Sequence, residues 1–256
     1  MKPVVRPKVA FFDFAGCEGC QLTVIDSLQN YPTLLEAIDI VQFREAISEK
    51  GDDYHIAFVE GSYTRSEDEN RLKEIRQKAQ IVIALGACAH LGGVNAFRNY
   101  QSQAEVQRYV YGNRDRFPST KPSAPIEAVI PIDGFIPGCP IDREEFVKNV
   151  KALLQGRKLS IPDYPVCIEC KLKENVCIFN YGKACLGPVT RAGCGAICPS
   201  YGVGCDGCRG STTSANTAGM QIALAEYGLD QHVFMNKFKL FQSYQSNPNK
   251  VNAHGS

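Results

Sequence analysis

The sequence predicts an α/β protein, a doubly wound parallel sheet followed by a small, loop-rich domain organised by its cysteines. Three observations predict it. Strand-like and helix-like stretches alternate through the first half of the chain. The strand-like stretches are short and rich in β-branched or aromatic residues, as strands buried on both faces should be. After Val166 the texture changes to Cys, Gly and Pro without sustained periodicity.

Five strands are expected, at Lys8 to Phe14, Ile38 to Phe43, His55 to Val59, Gln80 to Leu85 and Glu127 to Ile132. Between the third and fourth lies a helix in which Ser66 and Glu69 have capping-box spacing and Leu72, Ile75 and Ala79 recur at helical intervals. A second helix, Asp142 to Leu154, puts Phe146, Val147, Val150, Leu153 and Leu154 on one face and stops at Gly156. It closes a first domain spanning 1–157. The remainder, 158–256, carries eight of the 12 cysteines between Val166 and Arg209. That stretch is too poor in apolar pattern to build a large core alone, so its order is expected from cross-links, and metal clusters are the economical candidate. A helix over about Ala215 to Tyr227 follows, and the polar end QSYQSNPNKVNAHGS is expected to be disordered or a docking arm.

Composition sets outer bounds. With 44% hydrophobic residues, 21% charged and a formal net charge of +1, the chain is that of an ordinary soluble protein without the basic excess of a nucleic-acid or membrane-surface binder. No apolar run approaches the ~20 residues of a transmembrane helix, and the N-terminus carries neither an apolar signal region nor a twin-arginine pair, so a cytoplasmic location is expected. In a reducing compartment disulfides are rare, and clustered cysteines more often bind metal or do redox chemistry.

Cys17 and Cys20 follow the first strand, Cys88 the fourth and Cys139 the fifth. In an open α/β sheet the loops after strand ends share one edge, and the crevice there is the default ligand site. Four thiolates converging on it suit one [4Fe-4S] cluster. Glu60, at the end of the third strand, is a neighbour or alternative carboxylate ligand, or a hydrogen-bonded acid. The other eight, Cys167, Cys170, Cys177, Cys185, Cys194, Cys198, Cys205 and Cys208, divide in sequence order into C-x2-C-x6-C-x7-C and C-x3-C-P-x5-C-x2-C. Each run can close around a cubane, although neighbouring cysteines in ferredoxins also serve different clusters. The pairs 167/170 and 205/208 also suit structural zinc, against which stand a count of 12 that divides into three fours and the crevice position of the first four, whereas a catalytic cysteine lacks an accompanying histidine motif. His90 either tunes a cluster sulfur or is an ordinary loop histidine, and Arg191 and Arg209 are either charges beside the clusters or solvated side chains.

Taken together, AGCEGC, VEG at Val59 to Gly61, LGACA at Leu85 to Ala89, PGCP at Pro137 to Pro140 and CLGPVTRAGCGAICPSYGVGCDGCRG resemble the small, electron-transfer subunit of cytoplasmic [NiFe]-hydrogenases over about residues 8–212. The resemblance implies a flavodoxin-like domain holding a proximal [4Fe-4S] cluster through Cys17, Cys20, Cys88 and Cys139. It further implies a distal cluster on Cys167, Cys170, Cys177 and Cys185 and a medial one on Cys194, Cys198, Cys205 and Cys208. The implied partners are a large subunit with the NiFe site and a diaphorase, flavin or other iron-sulfur acceptor subunit, as in NAD(P)-linked, sulfhydrogenase-like or viologen-reducing enzymes. The large subunit's own nickel-binding motifs are missing, so H2 cleavage is not expected on this chain. Where membrane-bound members carry a distal His and a three-iron medial cluster, Cys167 and Cys198 stand here, and Glu18 replaces the usual Thr. The first half also resembles the 20 kDa subunit of respiratory complex I, but that relative's adjacent Cys-Cys pair and lack of a second cluster domain do not match.

Overall fold

The computed structural model describes residues 6–112 and 120–246. Among them five strands form one parallel sheet: β1 (Lys8–Asp13), β2 (Asp39–Phe43), β3 (Ile56–Glu60), β4 (Ile81–Leu85) and β5 (Gly134–Ile136), in the order β2-β1-β3-β4-β5. This is the flavodoxin-like strand order, with its switch point between β1 and β3. Period-two alternation sends Val9 and Phe11 to one face and Ala10 and Phe12 to the other, and both faces are covered. Phe11 anchors the first face, with its ring stacked on Phe43 (centroids 4.4 Å apart) and Phe58 (5.1 Å). Helices α1 (Gly19–Asn30) and α6 (Arg143–Leu154) close that face through Val24, Leu28, Phe146, Val147 and Val150, with Leu153 and Leu154 half-buried beside them. Helix α3 (Glu67–Lys78) covers the other with Leu72 and Ile75. The short α2 (Pro32–Ala37) and α4 (Gly86–Leu91) follow α1 and β4, and α5 (Gln103–Tyr111) lies outside the cores.

Four strands fall where they are expected. The fifth does not: Ile126–Ala128 is a 3-10 turn, and Ile126 and Ile130 pack into the α3-side core. Pro131 has no N–H for a sheet ladder. Asp133 starts the pairing instead, its N–H donating to Val82 O (2.8 Å) and its carboxylate accepting from Val82 N–H (2.7 Å). The capping box is also misplaced. Ser66 is itself helical and makes no side-chain cap, while Glu69 pairs with Lys73 (2.7 Å). The reciprocal box forms at Ser102 and Glu105 ahead of α5.

The cysteine-rich stretch contains α7 (Val166–Leu172), a 3-10 turn at Ile178–Tyr181 and α8 (Ile197–Ser200). Its core of Val166, Ile178, Phe179, Leu186 and Val189 is completed by Met220 and Leu224 of α9 (Thr217–Glu226) and Phe234 of α10 (Gln231–Ser246). Of the two expectations for the polar end from Gln242, disorder or a docking arm, its described part is docked. Helix α10 runs on to Ser246, Gln242 and Ser243 are fully buried, and Phe241 packs on Ala87 and Leu91 of α4. Residues 247–256 of that arm lie outside the described residues. Among the described residues no helix is long and apolar enough to cross a membrane.

Candidate metal centres

The structure gathers Cys17, Cys20, Cys88 and Cys139 at the carboxyl ends of the strands. Cys17 lies on the loop after β1, Cys139 on the loop after β5, and Cys20 and Cys88 stand in the first turns of α1 and α4, not on loops. Burial pushes the Cys88 thiol up to about 12, and Cys139, Cys17 and Glu60 add to it. Burial also raises Cys20, with Glu60 contributing next, and raises Cys139, with Cys17 next. Such a set is costly as free thiolates and is the donor set that several cations relieve. Glu60 is buried and fully engaged. Its Oε1 accepts from Cys20 N–H and its Oε2 from Gln21 N–H, both at 3.2 Å, and burial raises its carboxyl despite these bonds. It is the hydrogen-bonded acid that orients the start of α1. Two glycines leave room for the sulfurs: a Cβ on Gly86 would fall inside 3.0 Å of Cys20 Sγ, and one on Gly93 would lie 2.9 Å from Cys88 Sγ.

A second set, Cys194, Cys198, Cys205 and Cys208, lines a cavity of about 360 Å³ together with Cys139, Pro199 and Phe241. Burial pushes Cys208 up to about 12, Cys194 adds to it, and the Cys139 backbone works against both. A third set, Cys167, Cys170, Cys177 and Cys185, lines a cavity of about 130 Å³ with Ile178, Phe179 and Pro199. There Cys167 is raised to about 12 by burial and by its three companions. Asn175 Nδ2 lies 3.7 Å from Cys170 Sγ, and Cys205 N–H donates to Cys185 Sγ at 3.2 Å. The three sets therefore lie in a row: Cys139 of the first lines the cavity of the second, and Cys205 of the second donates its N–H to Cys185 Sγ of the third. Among the described residues no three Cys, His, Asp or Glu side chains meet at a point fit for a single metal ion. The second and third sets ring cavities, the arrangement that suits a polynuclear centre, and N–H groups aimed at sulfur are how such centres are tuned.

His90 turns to an aromatic ring instead of a sulfur. It stacks on Phe135 at 3.6 Å, Arg191 lies over the same Phe135 ring, and burial lowers the imidazole to about 4. The solvated reading of the arginines is overturned. Arg209 is 1% exposed and paired with Glu145 at 2.6 Å, and Arg191 is 9% exposed and paired with Asp163 at 2.6 Å. Both pairs span long sequence separations, so composition around each arginine gave no warning. Glu18 sits in left-handed backbone and pairs with Arg44 at 2.5 Å, which also holds Asp13 at 2.9 Å. Sequence reasoning missed Glu169, whose carboxylate accepts from Gly193 N–H (2.8 Å) and Ala196 N–H (3.2 Å) and so fixes the loop carrying Cys194 to α7. Its only signal was a charged residue inside the Cys167–Cys170 pair.

Fold and site define a class: a flavodoxin-like α/β protein with thiols in the sheet crevice and an adjoining cysteine-rich layer. The chain belongs to the family described as NADH ubiquinone oxidoreductase, 20 Kd subunit, whose model matches residues 17–153. That span holds Cys17, Cys20, Cys88 and Cys139 and none of the other eight. Relatives that match the second half as well are hydrogenase subunits. The chain is 36% identical over 228 residues to sulfhydrogenase 2 subunit delta of Pyrococcus furiosus, covering 88% of this chain and 95% of that one. It is 34% identical over 272 residues to a subunit of an F420-non-reducing hydrogenase of Methanocaldococcus jannaschii, covering 91% and 94%. A chain of a solved NAD+-reducing [NiFe]-hydrogenase in the H2-reduced state aligns with a TM-score of 0.54 at 26% identity, covering 62% of this chain and 96% of that one.

Proposed function

We propose that this chain is the electron-transfer subunit of a cytoplasmic [NiFe]-hydrogenase. It carries electrons between the NiFe site of a large partner subunit and a diaphorase or other acceptor subunit. The observation that carries the reading is the row of three thiol sets, in which Cys139 of the first lines the cavity of the second and Cys205 of the second donates its N–H to Cys185 Sγ of the third. The residues fit three [4Fe-4S] clusters: Cys17, Cys20, Cys88 and Cys139 for the proximal, Cys194, Cys198, Cys205 and Cys208 for the medial, and Cys167, Cys170, Cys177 and Cys185 for the distal. When bound, such clusters supply one-electron carriers whose potentials follow charge, hydrogen bonding and exposure. The chain's own residues hold the thiols, exclude water and fix the spacing. We assign residues 1–157 to the domain of the first set and 158–256 to that of the other two. Exposed Cys17 and Cys139 mark the donor side, and exposed Cys177, flanked by exposed Leu172, Val176 and Tyr181, marks the acceptor side. No residue of this chain is assigned to H2 cleavage.

The test is iron, acid-labile sulfide, zinc and nickel analysis on the complex purified without oxygen. About twelve iron atoms on this chain, with matching sulfide and nickel in a co-purifying larger subunit, are expected. Cys88→Ala and Cys139→Ala should each uncouple H2 oxidation from acceptor reduction. Two or three zinc atoms without sulfide, or unchanged turnover in both variants, would overturn the assignment.

A further inference from the structure

Arg209 is among the largest fully buried side chains in the molecule, and every arm of its guanidinium is engaged. Nε donates to Ala192 O (2.7 Å), Nη1 to Pro137 O (2.9 Å) and Nη2 to Glu145 Oε1 (2.6 Å). Pro137 belongs to the loop that carries Cys139, Ala192 precedes Cys194, and Arg209 itself follows Cys208. The three contacts therefore lock the charge against both the first and second thiol sets. Arg209 also lines the cavity ringed by Cys139, Cys194, Cys198, Cys205 and Cys208, and among the described residues it is the only cationic side chain in that lining. Its counter-charge comes from Glu145 on α6, whose other oxygen, Oε2, is buried without a hydrogen-bond partner among the described residues. Gly193, at φ +112°, leaves the space: a Cβ there would lie 2.6 Å from Glu145 Oε1.

We propose that Arg209 sets the reduction potential of the centre held by Cys194, Cys198, Cys205 and Cys208, and that Glu145 positions the guanidinium and offsets part of its charge. The inference rests on the iron-sulfur reading above. Each reduction adds one electron to a centre already negative through its thiolates, and a fixed cation in a buried, low-dielectric setting stabilises the added charge. Loss of the cation must lower the potential. Loss of the neighbouring carboxylate, with the cation kept, must raise it. A residue that only pins the two loops has no reason to shift the potential in opposite directions.

The experiment is a redox titration of the intact complex, read by low-temperature electron paramagnetic resonance, with iron and sulfide measured on the same samples. Arg209→Met should lower and Glu145→Gln should raise the potential of one centre. Each shift should change its reduced-to-oxidised ratio at fixed potential by threefold or more, about 28 mV for one electron. Arg209→Lys should stay near the wild type. If Arg209→Met fails to assemble, Glu145→Gln, which is nearly isosteric, carries the test through the sign of its own shift. Iron and sulfide at wild-type levels with no shift, or shifts of the same sign, overturn this inference alone. A wild-type complex without iron and sulfide overturns it together with the reading on which it rests.

Discussion

Gly93→Ala tests whether the first thiol set is held by backbone that admits no side chain. Gly93 lies between α4 and the 3-10 turn Val94–Tyr100, at φ 55° and ψ −154°, close to a region that is essentially glycine-only. A Cβ there would stand 2.8 Å from Cys88 Cα, 2.9 Å from Cys88 N and 2.9 Å from Cys88 Sγ, so relief requires moving the backbone that aims this cysteine. Backbone strain of about 1–3 kcal/mol and overpacking of about 1–3 kcal/mol sum to about 2–6 kcal/mol, all of it at Cys88. Gly156→Ala is the control, because its φ is +67° but its Cβ would meet nothing within 4 Å. It should cost about 1–2 kcal/mol from left-handed strain alone. At this chain length each kcal/mol is worth roughly 2–4 °C in Tm. Thermal unfolding and iron content of the two variants, made side by side, provide the assay. On the proposed three-cluster assignment Gly93→Ala should lose about a third of the iron as well as the larger share of stability, and Gly156→Ala should keep its iron. Equal Tm losses with full iron in both would refute the argument that Gly93 cradles Cys88.

Two further outcomes follow from the same geometry. Glu60→Gln keeps one acceptor oxygen for the N–H groups of Cys20 and Gln21 and should retain the wild-type iron content, whereas Glu60→Ala strands both donors at about 1–3 kcal/mol each and should lose iron at the first set. Iron loss in Glu60→Gln to the level of Glu60→Ala would make the carboxylate a ligand after all. Removing iron with a chelator should abolish amide-exchange protection across residues 166–209 while β1, β3 and β4 keep theirs. The sheet is held by two apolar cores free of the second and third thiol sets, whereas the one core of the cysteine-rich stretch has Cys185 and Cys205 packed into it. Simultaneous loss of protection in both regions would show that the sheet, too, depends on the metal.

Much of this molecule is written in short windows of sequence. Short runs rich in β-branched and aromatic residues, KVAFFD and IAFVE, placed buried strands, because a strand covered on both faces is apolar at nearly every position. The α6 stripe was legible from three- and four-residue spacing, whereas the structure adds that Asp142 caps the helix, its side chain accepting from Glu145 N–H at 2.8 Å. The thiols were legible because few residue types do cysteine's chemistry, and strand ends converge on one edge wherever the sheet is parallel. Other features depended on contacts between distant segments. The run at 127–132 looked like a strand, but Ile130 found a better site in the α3-side core and Pro131 could not join the ladder. The polar end of α10 reads as disordered or as a docking arm, and the structure docks it by burying Gln242 and Ser243, with Gln242 Oε1 accepting from the Ser211 hydroxyl at 2.8 Å. Arg209 and Glu145 lie 64 residues apart, and nothing local says that they meet. Burial is a property of the assembled chain, so whether a charge is solvated or locked beside a thiol is settled only when distant segments close over it.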